Sequence, residues 1–354
     1  MKVRNSKKTN KVEKRKRPKF IIFTDKDGTL NLEDEELNNI FTIVNSMEGM
    51  VIPITGRTVG DIQEEMKRQK IRIPEIIIGD NGAAIYSTST KEFLVKRTLE
   101  HDKVMEIVNS FIKSGGIRDF IRYTNGGTIY AQDCEEVRNY YSKNKAVEFC
   151  QDIYESISQA ENISKLTLAG TKEQMLQSSE CARGLDFWTD QDKTKFPAKK
   201  YNNQRLDVSQ KNINKGEAVN AIVSSLKPKH GYMCLGNGNN DIAMFKKALD
   251  DGMIVAIMGD ASPELIAEIK EYAAKSKKGR VITIPKDRDL ANKYILRFAK
   301  IFQSHIKREE KIKKTGKKIL PNLQRVPIKH PFQKGNLHSE STKNKIPRNG
   351  GRYL

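Results

Sequence analysis

The chain has 354 residues and a formal net charge of +20 at pH 7, from 64 Lys and Arg against 44 Asp and Glu. This length suits roughly two domains of 100–200 residues each. No stretch approaches the ~20 apolar residues of a membrane span, and the basic amino terminus lacks an apolar segment long enough for secretion. The four cysteines show no paired spacing, so we expect reduced thiols and a cytoplasmic protein, or a nuclear one if the chain is eukaryotic.

The positive charge is concentrated at the two ends of the chain. Residues 1–19 hold ten Lys and Arg against one acid, residues 307–354 hold fourteen against three, and the middle is neutral. Neither end shows apolar periodicity, which predicts disordered basic tails. Two interpretations stay open: the tails bind nucleic acid or another polyanion, or they are solvated ends without a dedicated partner.

Five short apolar runs predict the strands of the core, and they lie at 20–23, 51–54, 76–78, 232–235 and 254–257. Segments with a helical 3.6-residue apolar period, such as 37–47 and 265–273, lie between them. Strands that alternate with helices predict an α/β fold with a Rossmann-like, doubly wound parallel sheet.

The segment 88–199 differs from this pattern and predicts an inserted α+β cap domain. It contains an amphipathic helix around 104–111, strands around 120–130 and 165–168, and a capping-box spacing from Thr171 to Gln174. The predicted organisation is a tail, a core in two pieces, the insertion and a second tail, at 1–19, 20–87 with 200–306, 88–199 and 307–354.

Polar clusters follow the predicted strands, where ligands bind in open α/β sheets. The first is Asp25-Lys26-Asp27-Gly28, in which one carboxylate can attack phosphorus while the next but one lies on the same side and moves protons. Gly28 would let backbone N–H groups approach phosphate oxygens. Asp and Gly are also common turn residues, so this motif alone equally suits an ordinary strand-to-turn exit.

The order of four clusters, at 25–28, 55–57, 214–216 and 236–241, resembles the haloacid dehalogenase superfamily of aspartate-nucleophile phosphatases. The resemblance implies that Asp25 is the nucleophile and Asp27 the general acid and base. It implies phosphate-binding roles for Gly28, Thr55, Gly56, Lys215 and Asn240. It also implies a Mg²⁺ site formed by Asp25, Asp27 through its backbone carbonyl, Asn237 and Asp241. Oxygen ligands without His or Cys suit a hard cation such as Mg²⁺.

One position departs from the family pattern. The fourth motif of the family usually begins Gly-Asp, whereas this chain has Asn237 in place of the aspartate. A neutral amide oxygen predicts weaker Mg²⁺ binding. Asp241 is retained, and it would either bind the metal through water or hold Lys215.

Two further segments, 76–83 and 254–261, resemble subclass IIB, which includes sugar-phosphate and sucrose-phosphate phosphatases. The resemblance implies a Mg²⁺-dependent phosphomonoester hydrolase that acts on a small phosphorylated metabolite such as a sugar phosphate, with the insertion as a lid. The alternative is a nucleic-acid-associated protein, either a polynucleotide-end phosphatase or a weakly active domain tethered by its tails. Against it, the sequence lacks zinc-finger, helix-turn-helix and RNP-type patterns.

Overall fold

The structure is a computed structural model that describes residues 17–33, 36–193, 204–285 and 287–315. Its strands are β1 (Phe20–Thr24), β2 (Gly49–Pro53), β3 (Ile76–Gly79), β4 (Ala84–Ser87), β5 (Glu92–Lys96), β6 (Ile121–Thr124), β7 (Ile129–Gln132), β8 (Val147–Cys150), β9 (Lys165–Gly170), β10 (Phe187–Lys193), β11 (Gln204–Gln210), β12 (Tyr232–Gly236), β13 (Ile254–Met258) and β14 (Arg280–Ile284). Its α-helices are α1 (Leu37–Ser46), α2 (Val59–Arg68), α3 (His101–Lys113), α4 (Glu135–Tyr140), α5 (Ile153–Ser158), α6 (Lys172–Gly184), α7 (Lys215–Leu226), α8 (Ile242–Asp250), α9 (Pro263–Ser276) and α10 (Arg288–Thr315).

Five parallel strands form the first sheet, in the order β14-β13-β12-β1-β2. Just beyond β2, Ile54 makes an isolated parallel bridge to Ile78 of β3. Every residue of β1, β12 and β13 is buried. Parallel strands that are covered on both faces require continuous apolar runs, and four of the five predicted runs are strands of this sheet. The fifth, at 76–78, is β3, which pairs antiparallel with β4 in a separate sheet, and β14 was not among the predicted runs. The predicted α/β fold with a parallel core sheet is confirmed.

Helices cover both faces of this sheet because successive side chains of a strand point in opposite directions. Ile21 and Phe23 of β1 pack in one apolar cluster with residues of α7, α8 and α9. Phe20 points the other way, and its ring stacks on Phe302 of α10 with 4.8 Å between the centroids. The sheet is therefore doubly wound.

The second sheet has six strands in the order β10-β11-β9-β6-β7-β8, and only the β7–β8 pair is parallel. Val104, Ile107 and Phe111 of α3 pack on it, together with Met175 of α6. The predicted helix around 104–111 is present, and Thr171 and Gln174 form the predicted capping box of α6. A mixed sheet with helices packed on it is the predicted α+β architecture.

Strand β11 lies in the second sheet, although the sequence assigned residues 200–306 to the core. Leu206 and Val208 alternate with polar residues along β11, and both are buried in the apolar cluster of this sheet. Because β11 pairs along its length with β9 and β10, the boundary predicted at residue 199 falls before the last strand of the second sheet.

Helix α10 runs to Thr315, beyond residue 306, where the sequence predicted the start of a disordered tail. Residues 307–315 are rich in Lys, Arg and Glu, which are strong helix formers even without an apolar stripe. Glu309 Oε2 lies 3.4 Å from His230 Nδ1, and Glu310 Oε1 lies 3.9 Å from Lys19 Nζ, so this end of α10 contacts the core. The rest of the predicted tails, 1–16 and 316–354, falls outside the described residues. None of the helices in the described ranges is long and apolar enough to cross a membrane.

Candidate active site

The loops that follow β1 and β12 meet at the carboxyl edge of the first sheet. The N–H of Asp25, directly after β1, donates to the carbonyl of Leu235 in β12 at 2.8 Å. Lys215 occupies the first position of α7, where the side chain of Asn214 caps the helix by accepting from the N–H of Glu217 at 3.0 Å. This N-cap at Asn214 fixes the first residue of α7 and thereby directs the side chain of Lys215 towards the end of β1.

Lys215 lies between two carboxylates. Its Nζ donates to Asp25 Oδ1 at 2.5 Å and to Asp241 Oδ1 at 2.6 Å, and all three side chains are almost wholly buried. Burial raises the pKa of Asp25 to about 7, against the opposing effect of the Lys215 ammonium. Burial would lower the pKa of Lys215, but the two carboxylates outweigh it and the pKa is raised. The lysine is therefore a buried cation at neutral pH.

Asp241 also fixes the loop after β12. Its Oδ2 accepts from the backbone N–H groups of Asn237 and Gly238, each at 2.9 Å, while Oδ1 accepts from Lys215. Both carboxylate oxygens thus have protein partners. Of the two roles that the sequence left open for Asp241, the contact with Lys215 is present in the structure.

Asn237 lies against the turn that follows Asp27. A Cβ placed on Gly28 would be only 2.0 Å from Asn237 Nδ2, and the φ of Gly28 is +84°, in the left-handed region. Both facts require glycine at this position. The first and fourth motifs are therefore in direct contact, as the convergence of strand ends predicts.

The donors gathered here suit a hard cation. Asp25, Asp27 and Asn237 line one cavity, and their side-chain and backbone oxygens are the donor type that such a cation prefers. Across the described ranges, no group of three or more His, Cys, Asp and Glu side chains is arranged to hold a metal. A site built here would depend on an amide and a backbone carbonyl as well as on carboxylates.

Asp27 is held by a two-pronged contact with Arg57. Arg57 Nε donates to Asp27 Oδ2 at 2.9 Å and Nη2 donates to Oδ1 at 2.6 Å, while Lys26 Nζ lies 3.2 Å from Oδ1. Burial would raise the pKa of Asp27, but the charges of Arg57 and Lys26 outweigh it and the pKa is lowered. The sequence analysis gave Arg57 no role. The feature that could have indicated one is its position in the Thr-Gly-Arg cluster that follows β2.

The turn after β2 contains Thr55 and Gly56, two of the predicted phosphate ligands. Thr55 is fully buried, and its Oγ1 accepts from the N–H of Arg57 at 3.2 Å. The carbonyl of Gly56 accepts from Nζ of Lys165, the first residue of β9, at 2.5 Å. Lys165 therefore links the second sheet to the first, which the sequence did not predict.

A cavity of about 650 Å³ lies at this edge, with walls from both sheets. Five predicted site residues line it, namely Asp25, Asp27, Gly56, Asn237 and Asn240. The other four each contact a residue that lines the cavity. Gly28 contacts Asn237, Thr55 contacts Arg57, Lys215 contacts Asp25, and Asp241 contacts Asn237. The structure thus brings all nine predicted residues together.

The wall from the second sheet is charged, and sequence reasoning missed it. It includes Arg122, Lys165, Arg205 and Asp207. Burial would raise the pKa of Asp207, but the charges of Arg205, Lys165 and Arg122 lower it to about 2. Thr167 Oγ1 also donates to Asp207 Oδ1 at 2.7 Å. Arg122 lies on β6, Lys165 on β9, and Arg205 with Asp207 on β11, so only the pairing of these three strands brings them together.

An open parallel sheet with paired carboxylates and a buried lysine at its carboxyl edge defines an α/β protein with a site suited to phosphate chemistry. The family model for haloacid dehalogenase-like hydrolases matches residues 22–284. The chain belongs to this family, and the resemblance seen in the sequence is confirmed.

Solved structures of other proteins share the fold. A sugar phosphatase of haloacid dehalogenase subclass IIB is 19% identical with a TM-score of 0.56, and the match covers 78% of this chain and 98% of that one. A haloacid dehalogenase-like hydrolase from Bacteroides thetaiotaomicron is 19% identical with a TM-score of 0.58, covering 78% and 98%. The protein TM0651 from Thermotoga maritima is 20% identical with a TM-score of 0.57, covering 79% and 97%. No curated protein matches the chain.

Proposed function

We propose that the protein is a Mg²⁺-dependent phosphatase that hydrolyses a small phosphomonoester, such as a sugar phosphate, through an aspartyl-phosphate on Asp25. The observation that carries this proposal is the buried Lys215 ammonium, 2.5 Å from Asp25 and 2.6 Å from Asp241. A phosphate dianion approaching a lone carboxylate would be repelled, whereas a fixed cation beside Asp25 offsets the repulsion. Family membership and the sugar phosphatase among the similar structures support the same chemistry.

In the proposed first step, a carboxylate oxygen of Asp25 attacks phosphorus, and the leaving oxygen takes a proton from Asp27. In the second step, Asp27 takes a proton from water, which attacks phosphorus and releases inorganic phosphate and the free Asp25 carboxylate. Arg57 orients Asp27 through its two hydrogen bonds, and one of them must open for the first step, because Asp27 has to carry a proton there whereas Arg57 lowers its pKa. Thr55, Gly56, Gly28, Asn240 and Lys215 would hold the phosphate.

The residues that would hold Mg²⁺ are Asp25, Asp27 through its carbonyl, Asn237 and, through water, Asp241. When bound there, Mg²⁺ supplies positive charge against the phosphate oxygens. We further propose that the second sheet and its helices act as a cap. The cavity wall that they form faces Asp25 and would exclude water from the aspartyl-phosphate.

A substrate panel tests the proposal. Phosphate release from sugar phosphates, nucleotides and end-phosphorylated oligonucleotides is measured with Mg²⁺ and with a chelator. We expect Mg²⁺-dependent release that is fastest with a small phosphomonoester, and none from an Asp25→Asn preparation purified in the same way. A folded protein that releases phosphate from no member of the panel would contradict the proposal.

Asn237→Asp tests the metal site. A second carboxylate beside Asp25 makes the site more anionic, so we expect a several-fold lower Mg²⁺ concentration for half-maximal rate. The matched control is Asn239→Asp, which adds the same charge at an exposed position of the same loop. An equal metal dependence in both variants would place Asn237 outside the ligand set.

The alternative of a nucleic-acid-associated protein rests on the charge of the tails. Most of that charge lies in residues 1–16 and 316–354, outside the described part of the chain. No observation on the described residues favours this function over hydrolysis of a small substrate, so it stays a prediction from composition.

A further inference from the structure

Lys165 reaches from the second sheet to the turn after β2. It begins β9, and its Cα is paired with that of Thr124 in β6. Its Nζ donates to the carbonyl of Gly56 at 2.5 Å across 109 positions of sequence, and only 9% of the side chain is exposed. A charged donor on a buried carbonyl is stronger than a neutral one, so this contact ties the two sheets together at the cavity.

The hydrogen bond from Lys165 affects more of the turn than the Gly56 carbonyl alone. The Gly56 carbonyl and the Arg57 N–H belong to one planar peptide unit, so fixing one fixes the direction of the other. That N–H donates to Thr55 Oγ1 at 3.2 Å, and the Arg57 side chain holds both oxygens of Asp27. The orientation of the Thr55 hydroxyl and of the Asp27 carboxylate therefore depends on this peptide unit.

Two buried carboxylates keep Lys165 in place. Asp80 Oδ1 lies 3.7 Å and Asp207 Oδ2 lies 3.9 Å from Nζ. Asp80 Oδ2 accepts from the hydroxyls of Thr124, the last residue of β6, at 2.8 Å and of Ser164, the residue before β9, at 2.7 Å. A buried ammonium is stable only beside such partners.

Asp80 also holds the turn directly. Its backbone N–H donates to the carbonyl of Arg57 at 2.8 Å. The carbonyls of Gly56 and Arg57 are thus held by two members of one buried cluster, made of Asp80, Thr124, Ser164, Lys165 and Asp207.

We propose that Lys165 is a positioning residue that sets the Thr55–Arg57 turn when the second sheet is seated on the first. The expected effect of Lys165 on kcat rests on the proposed function, whereas its positioning of the Thr55–Arg57 turn does not. The ammonium is directed at Gly56, Asp80 and Asp207, so we expect its loss to disorder the phosphate-holding turn and Asp27.

The test compares Lys165→Met, which keeps most of the side-chain volume, with Lys165→Arg and with Lys172→Met, an exposed lysine of α6 as control. We measure kcat and KM on an aryl phosphate, thermal unfolding, and amide hydrogen exchange over residues 54–60. For Lys165→Met we expect kcat to fall by about 10–100-fold, the scale for small misplacement of reacting groups. KM should stay nearly constant and exchange over 54–60 should quicken. Lys165→Arg should recover most of both properties, and Lys172→Met should match the parent.

Unchanged exchange over 54–60 in folded Lys165→Met would overturn the proposal, as would a raised KM with unchanged kcat. If Lys165→Met does not fold, Asp80→Asn is compared instead with the double variant Asp80→Asn, Lys165→Met, in which the loss of the lysine leaves one buried carboxylate without its cation instead of two. If the parent protein hydrolyses nothing, the proposed function fails. In that case, faster hydrogen exchange over residues 54–60 in Lys165→Met still supports the positioning role of Lys165, and unchanged exchange overturns it.

Discussion

Asp25→Asn is expected to abolish Mg²⁺-dependent hydrolysis of an aryl phosphate, because an amide cannot attack phosphorus. The expected loss in kcat is roughly 10⁴–10⁶-fold, the range seen when a residue of a covalent catalytic machinery is removed. The control is Asp102→Asn, a fully exposed carboxylate of α3. Undiminished turnover in the Asp25→Asn protein would contradict the nucleophile assignment.

The same substitution should leave the metal-free protein folded. Burial raises the pKa of Asp25 to about 7, above the ~3.9 of an unfolded aspartate. The folded state therefore binds this proton more tightly, and stability is lost as the pH rises from the unfolded to the folded pKa. Above pH 7 the whole cost is present in the parent and absent from the amide. We expect the Tm of Asp25→Asn at pH 7.5 to equal or exceed that of the parent, which separates lost chemistry from lost folding.

Asp27→Asn is expected to slow turnover by roughly 10²–10⁴-fold, the usual contribution of general acid–base catalysis. The amide cannot exchange a proton with the leaving oxygen or with water, and it offers Arg57 one acceptor in place of two. With 4-nitrophenyl phosphate as the substrate, nitrophenolate leaves without protonation, so transfer of the phosphoryl group to Asp25 should still occur. Stopped-flow absorbance should show a burst of nitrophenolate stoichiometric with enzyme, followed by a stall. Steady release at the parent rate would contradict the role of Asp27.

The core strands were predictable because burial on both faces leaves a local signal. Apolar runs at 20–23 and 232–235 are followed at once by the polar residues that line the cavity, so strand and site are marked together. The end of α10 was not predictable from apolar pattern, since residues 307–315 form a helix from charged residues. Strand β11 was misassigned because its pairing with β9 is a long-range choice that local pattern does not encode.

The site was predictable only where a motif carried it. Asp25, Asp27, Lys215 and Asp241 came from motif order, and their contacts follow from strand neighbours in the sheet. Lys165 had no motif, and its bond to Gly56 spans 109 positions, so only the seating of one sheet on the other creates it.

The most direct test of the central claim is to locate the phosphoryl group on the protein. The Asp27→Asn variant is mixed with 4-nitrophenyl phosphate and Mg²⁺, quenched in acid during the stall and mapped by peptide mass spectrometry. The account predicts one phosphoryl group on the peptide that contains Asp25, at the side chain of that residue, and none when Asp25→Asn is added to the variant. A nitrophenolate burst with Asp25 unmodified, or with the group on another residue, would contradict it.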